Sequence, residues 1–305
     1  YEKREDWERT PTGMLYGEPQ PRYVLFYYYG DATNQVISQA NHTLDISDLT
    51  MEAFRALLQR DKYARGYRIE YPWVVNVDTC MTGISFNHDV YPYNIKDVRW
   101  ALTLAIDIVD YIGIAFDGTA PMGSLHVAPT PINQKWYYEP LEDWLRNFTL
   151  EQLLLRNGFK RDKNGKWLLP DGTQWKINIT AHPNTSHPQH RNSIAVAQQW
   201  RNFGIEVNIN ATEAYATLAG LGNFEVNDVW PAQTTWGSNN DLHRVLNPFN
   251  SSYYRPIGEN AVGHESRWTN PKMDYIIGEM EKLDWNDPRN LELGMEGLKL
   301  LIEEM

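Results

Sequence analysis

The chain has 305 residues, of which 42% are hydrophobic and 22% charged, and a formal net charge of -11. That size and balance make a folded protein of one large or two ordinary domains. The acidic excess argues against binding nucleic acid by phosphate neutralisation and against docking on anionic membranes.

No apolar run approaches the ~20 residues of a membrane-spanning helix. The start, Tyr1-Glu2-Lys3-Arg4, has no apolar stretch of the signal-peptide kind; an exported protein reads this way as a mature form or a fragment. Cys80 is the single cysteine, so no internal disulfide is expected. Val75, Val77 and Met81 around it mark Cys80 as a small buried hydrophobe.

Residues 1–22 carry Pro11, Gly13, Gly17, Pro19 and Pro21 and read as loop. Tyr23 to Tyr29 is a dense aromatic run that predicts a strand. Helices are expected over Thr33–Ala40 and Leu49–Arg60, and an extended segment over Tyr67–Asp78. Ile84 and Phe86 alternate as in a half-buried strand, and Pro92 ends it. Asn94 is a credible N-cap for a helix whose apolar face is Val98, Ala101, Leu102, Ala105, Ile106 and Val109.

A Pro-rich connection follows from Pro121, then a helix from Leu150 to Asn157. Lys160 to Trp175 reads as a hairpin, with Asn164-Gly165 and Asp171-Gly172 as turn dipeptides. Ile177–Ala181 is a strand. Ser193–Phe203 is a helix closed by Gly204, and Ile205–Asn210 is another strand. A short helix over 214–221 and a strand over Phe224–Trp230 come next, followed by a long loop to Trp268. Asn270-Pro271 opens a helix to Leu283, and Pro288 opens a last one to Met305.

Several of these pieces carry specific motifs. Phe86-Asn87, Pro92-Tyr93, Val98-Arg99, Ala101-Leu102 and Ala105-Ile106-Asp107 form one long pattern. Gly165-Lys166-Trp167, Gly204-Ile205-Glu206-Val207 and Asn270-Pro271 with Asp274 extend it. Together they resemble the family 5 extracellular solute-binding proteins of bacterial ABC importers, which serve peptides, nickel and oligosaccharides. The resemblance spans nearly the whole chain. It implies an α/β, periplasmic-binding-protein-like two-lobed fold of the class with an extra domain, here mostly the second lobe with a mixed sheet flanked by helices. It further implies that residues 1–82 are part of lobe I and residues 83–305 are lobe II, with strands of lobe I missing. A periplasmic or otherwise extracytoplasmic location, permease subunits as partners, a monomeric state and no enzymatic activity or cofactor are its other consequences.

Ligand contact is expected in the loop from Trp230 to Trp268, which is too long for a mere connector. The resemblance places this loop at the cleft between lobes. Peptide-binding members carry Asp three residues after the loop's Trp, where it receives the ligand's ammonium. Here Trp236 is followed at that spacing by Asn239. A buried ammonium without a counter-charge is costly, so the site suits a free peptide N-terminus poorly unless Asp241 substitutes.

A sugar fits better. The chain holds 12 Trp and 18 Tyr; an indole stacks on the C–H face of a pyranose, and amides both donate to and accept from its hydroxyls. Trp236, Asn239, Trp230, Asn240, Gln233, Asn87 and Trp73 make the expected contact set, for a β-linked gluco- or manno-oligosaccharide. Trp167, in the hairpin, reads as structural. His182, His187 and His190 lie close together, but two prolines and no Cys or acid among them make a poor metal cage. No metal is expected. An oligopeptide receptor of the same family is the alternative. A carbohydrate-cleaving enzyme is the alternative from another class, although no acid here sits in a recognisable glycosidase motif.

Overall fold

The computed structural model describes residues 1–28, 30–71, 73, 81–120, 150–222, 229–234, 241–261, 263–284 and 286–304, and of residues 81–82, 150 and 229–234 the backbone alone. The chain divides into two compact units, Tyr1–Gly66 and Tyr67–Met305.

The first unit is helical. It holds α1 (Pro11–Tyr16), α2 (Ala32–Ala40) and α3 (Met51–Arg60). Each starts on a side chain that accepts an otherwise orphaned backbone N–H: Thr10 from Gly13, Asp31 from Asn34 and Thr50 from Ala53. Val36 on α2 and Ala53 and Leu57 on α3 form a small core. The expected loop over residues 1–22 therefore contains a helix. Thr10-Pro11 is the reason, since a capping hydroxyl precedes a proline at the one helical position that needs no N–H.

The aromatic run from Tyr23 is not the expected strand. It makes one antiparallel bridge, Glu2 with Tyr23, and its side chains stand in solvent, with Phe26 80% and Tyr28 96% exposed. Propensity for strand is a preference for a packed, pleated surface, and this unit offers none there. Tyr29 lies outside the described residues.

The second unit is built on a mixed sheet. It contains β1 (Met81–Phe86), β4 (Lys176–Ala181), β5 (Glu206–Ala211) and β6 (Val229–Thr234), in spatial order β1-β6-β4-β5. Strand β4 runs parallel to β5 and β6, and β1 is antiparallel to β6. Between β1 and β4 come α4 (Lys96–Leu104), α5 (Ile108–Phe116), α6 (Leu150–Leu155) and a small hairpin, β2 (Lys160–Arg161) with β3 (Trp167–Leu168). Helix α7 (Pro188–Asn202) links β4 to β5, and α8 (Tyr215–Leu221) links β5 to β6. The chain continues with α9 (Leu242–Leu246), α10 (Pro271–Met280) and α11 (Pro288–Glu304).

Helix α7 fills the groove between the sheet and α4–α5. Its Val196 and Trp200 are fully buried with Ile177 and Ile179 of β4, and the Trp200 ring stacks on Phe86 of β1. The Trp200 indole N–H donates to the Leu102 carbonyl at 2.8 Å, tying α7 to the end of α4. Trp167 in the hairpin is fully buried beneath Phe203, and the Arg161 guanidinium lies 4.4 Å from its ring centre. Gly204, at φ 101°, brings its backbone so close to Gly165 that a β-carbon would stand 2.6 Å from the Gly165 carbonyl oxygen. At the other end, α9 drives Leu242 and Leu246 against Gly294 and Gly297 of α11.

Four expectations on this unit change. The run from Val98 is two helices, because Asp107 caps α5 by accepting from the N–H groups of Val109 and Asp110. Helix α4 starts after Ile95, not on an Asn94 cap. The last strand lies at Val229–Thr234 rather than ending at Trp230, and residues 224–228 are outside the described set. Within the expected extended segment Tyr67–Asp78, the described residues instead turn back, with the N–H of Arg68 donating to Trp73 O and that of Trp73 to Glu70 O. The Pro-rich connection and Cys80 lie outside the described residues.

Candidate functional site

The strand order sets where a ligand crevice can form. From β4 the chain passes through α7 to β5 on one side, then through α8 to β6 on the other side of β4. In open α/β sheets the two crossovers separate at such a reversal and leave a crevice beyond the carboxyl ends of the strands. Here that position is beyond Ala181 of β4 and Thr234 of β6. The register pairs Ile179 with Val229, so β6 runs on past the end of β4.

Four features meet at this carboxyl edge. His182 follows β4 directly, and its ring stacks on His187 with centres 3.9 Å apart and planes 10° apart. Tyr215, the first residue of α8, sets its ring edge-on to His182 at 4.9 Å. The first turn of α7 carries Arg191, whose guanidinium grips the Asp117 carboxylate at 2.8 and 3.0 Å. The Asp117 carbonyl in turn accepts from the Tyr71 hydroxyl at 3.1 Å, and the Tyr71 ring meets that of Trp73 edge-on at 5.3 Å. Trp73 is thus tethered, through Tyr71, Asp117 and Arg191, to the start of α7.

The expected contact residues divide between the two edges of the sheet. Gln233 is near the carboxyl end of β6, paired in register with Thr82, and Trp230 near the other end, paired with Ser85. Asn87 follows Phe86, which pairs with Val229. It therefore sits at the opposite edge, separated from Thr234 by the length of β6, about 17 Å. Trp236, Asn239 and Asn240 lie outside the described residues.

At the opposite edge Asn87 belongs to a buried polar hub. Its Oδ1 accepts from the Asp89 N–H at 3.1 Å. The His88 N–H donates to the Ser266 carbonyl at 2.8 Å. Arg267, buried and at φ 53°, donates through Nη2 to the carbonyls of Gly220 and Glu259. Burial pulls the Arg267 pKa below its ordinary value, opposed by Asp89 and Glu265. His88 is pushed down to about 3 by burial, with Arg99 and His264 adding to the effect, so it is neutral throughout the physiological range. Gly222, at φ 65°, lies against both Arg267 and Asn87 and is the last described residue before the segment leading to β6. This hub holds the backbone at Gly222, on the amino-end side of β6.

Asp241, the acid considered as a substitute ammonium partner, caps α9 by accepting from the Arg244 N–H at 3.3 Å. Two open grooves of about 400 Å³ occur elsewhere, one along α10 and α11 at Lys272 and Glu296, the other beside Ile106 and Asn202. Among the described residues no group of three His, Cys, Asp or Glu side chains could hold a metal, and no helix is long and apolar enough to cross a membrane. The spacing of His182 before Pro188 carries no sign of the ring stack, and Tyr71 gains its place only through Asp117, at the end of another helix.

The family model for bacterial extracellular solute-binding proteins, family 5 Middle, matches residues 1–254. No curated protein matches the chain. Among solved structures, the chain is similar to the periplasmic oligopeptide-binding protein of Thermotoga maritima, with a TM-score of 0.78 and 18% identity over 100% of this chain and 56% of that one. A second structure of that protein, with mannohexaose bound, gives 0.74 and 18% over 99% and 56%. The oligopeptide-binding protein AppA of Bacillus subtilis, in complex with a nonapeptide, gives 0.66 and 16% over 90% and 51%. The chain thus spans about half the length of the structures it matches, and it shares their α/β, periplasmic-binding-protein-like fold.

Proposed function

The chain belongs to the bacterial extracellular solute-binding proteins of family 5, and from that premise we propose that it is the ligand-gripping part of the substrate-binding component of an ABC importer, acting outside the cytoplasm on an oligosaccharide. In this reading residues 1–82 contribute to one lobe and 83–305 form the other. A ligand that bridges both lobes binds the closed state better and so shifts the population toward it. The closed receptor then delivers its cargo to permease subunits as a monomer, without covalent chemistry.

The observation that carries the choice of sugar is Asn239, a neutral amide at the spacing from Trp236 where peptide-binding members carry an acid. The bound mannohexaose in the Thermotoga maritima protein is consistent with a fold of this kind accepting a β-linked gluco- or manno-oligosaccharide. Trp236, Asn239, Asn240, Gln233, Trp230 and Trp73 are the proposed contacts; Asn87, the seventh residue expected from the sequence, is buried in the hub at the amino end of β6. The oligopeptide reading is weakened by Asp241, whose carboxylate is engaged at the start of α9.

Calorimetry with mannohexaose, cellohexaose and a mixed tripeptide tests this. Saturable heat with one sugar series, lost in Trp236→Ala, is the expected result. Binding of the tripeptide alone overturns the sugar assignment, and release of a reducing end on incubation with either sugar overturns the receptor assignment.

A further inference from the structure

The two stacked imidazoles at the carboxyl edge are held by an arrangement that works only without a proton on Nδ1. His182 Nδ1 accepts the Asn184 N–H at 3.0 Å. His187, the N-cap of α7, uses its Nδ1 to accept the Gln189 N–H at 3.2 Å. A nitrogen that accepts carries a lone pair, so each ring bears its one proton on Nε2 and is neutral. The rings then lie flat against each other at 3.9 Å, which suits two uncharged imidazoles and not two imidazolium ions.

We propose that the His182–His187 pair is an acid-sensitive latch on the start of α7. A proton on His187 turns its Nδ1 from acceptor to donor and aims it at a backbone N–H, so the cap of α7 is lost. A proton on His182 does the same to the turn at Asn184. Protonation of both places two like charges face to face.

Among the described residues no acid forms an ion pair with either ring. Of the groups around it, Tyr215 of α8 meets His182 edge-on, and His190 on the first turn of α7 donates from Nδ1 to the His182 carbonyl at 2.6 Å. Arg191 on that turn is engaged by Asp117 of α5. Burial and the neighbouring His182 hold the His187 pKa below its ordinary value. By linkage, the latch is fully closed above the ordinary histidine range. It loses its contribution as the pH falls from about 6.5 toward the lower folded value. The turn it releases ends β4 at the reversal point of the sheet, so acidification loosens that edge.

The test is an NMR titration of the full chain. The expected result is a His187 ring midpoint below about 6.5, with the Gln189 and Asn184 amide signals moving on the same curves. Exchange of the Gln189 amide, corrected for intrinsic rate, rises about fivefold across the transition, the size of a lost N-cap. His187→Asn keeps a cap acceptor that does not titrate, so it flattens that rise. A His187 midpoint at or above about 6.5 with a stationary Gln189 amide overturns the latch. Should the variant fail to fold, the titration of the unaltered chain decides alone.

Discussion

The Arg267 guanidinium carbon lies 2.7 Å from where a β-carbon on residue 222 would stand, and Asn87 Nδ2 lies 2.8 Å from the same point. Glycine is the residue this junction admits, both for that approach and for its φ of 65°. Gly222→Ala is expected to lower stability by about 1–3 kcal/mol. Urea denaturation checks this; an unchanged midpoint would contradict the close approach at residue 222.

The crossing of α9 over α11 makes a second glycine-dependent contact. A β-carbon on residue 297 would stand 2.3 Å from Leu246 Cδ1, inside the core. Gly297→Ala should cost about 1–3 kcal/mol by overpacking. Pairing it with Leu246→Ala should show a favourable coupling, since the second change opens the space the first one fills. A double-mutant cycle in urea measures it, and strict additivity would contradict the contact.

Arg99 is buried and joins two elements. Its Nη1 donates to the Tyr93 carbonyl at 2.7 Å, and its Nη2 donates to the Glu304 carbonyl in the last turn of α11. Burial lowers its pKa to about 10, with Glu304 opposing, so it is charged at neutral pH. Arg99→Lys keeps the charge but not the fork that spans both carbonyls, and a loss of about 2–4 kcal/mol is expected from the stranded acceptors and cation. Thermal unfolding gives the answer. A lysine variant as stable as the parent would show that charge alone suffices.

His88 supplies a pH prediction with a definite sign. Its folded pKa, about 3, is below the unfolded value. The unfolded chain therefore binds the extra proton between those values, and the His88 contribution falls as pH drops from about 6.5 toward 3. His88→Phe should show a shallower loss of stability over pH 6.5 to 4 than the parent, measured by urea midpoints at each pH. Equal slopes would place the proton uptake elsewhere.

Much of the second unit was legible in the residues. Asn164-Gly165 marked the hairpin, and the alternation at Ile177 and Ile179 marked a central strand, because turn chemistry and period-two patterning act over a few positions. The aromatic run at Tyr23 misled, because its described side chains are exposed and meet no sheet face among the described residues. Asp107 was read as part of a continuous helix; whether its carboxylate caps a new one is a choice of chain direction that apolar spacing does not encode. Of the proposed contact residues, the pattern supplied the types, amides and indoles, but not their positions relative to one another.

The sequence by itself determined the family, the α/β character, the neutral amide at Asn239 and the abundance of indoles, since these are properties of residue identity and short spacing. Tertiary structure alone decided that Asn87 and Gln233 lie at opposite edges of one sheet. It also decided that His182 meets His187 in a stack and that Trp73 is tied to Arg191 through Tyr71 and Asp117. Those relationships follow from strand order, register and helix direction, which are set by burial of the whole apolar face at once rather than by any local stretch of the chain.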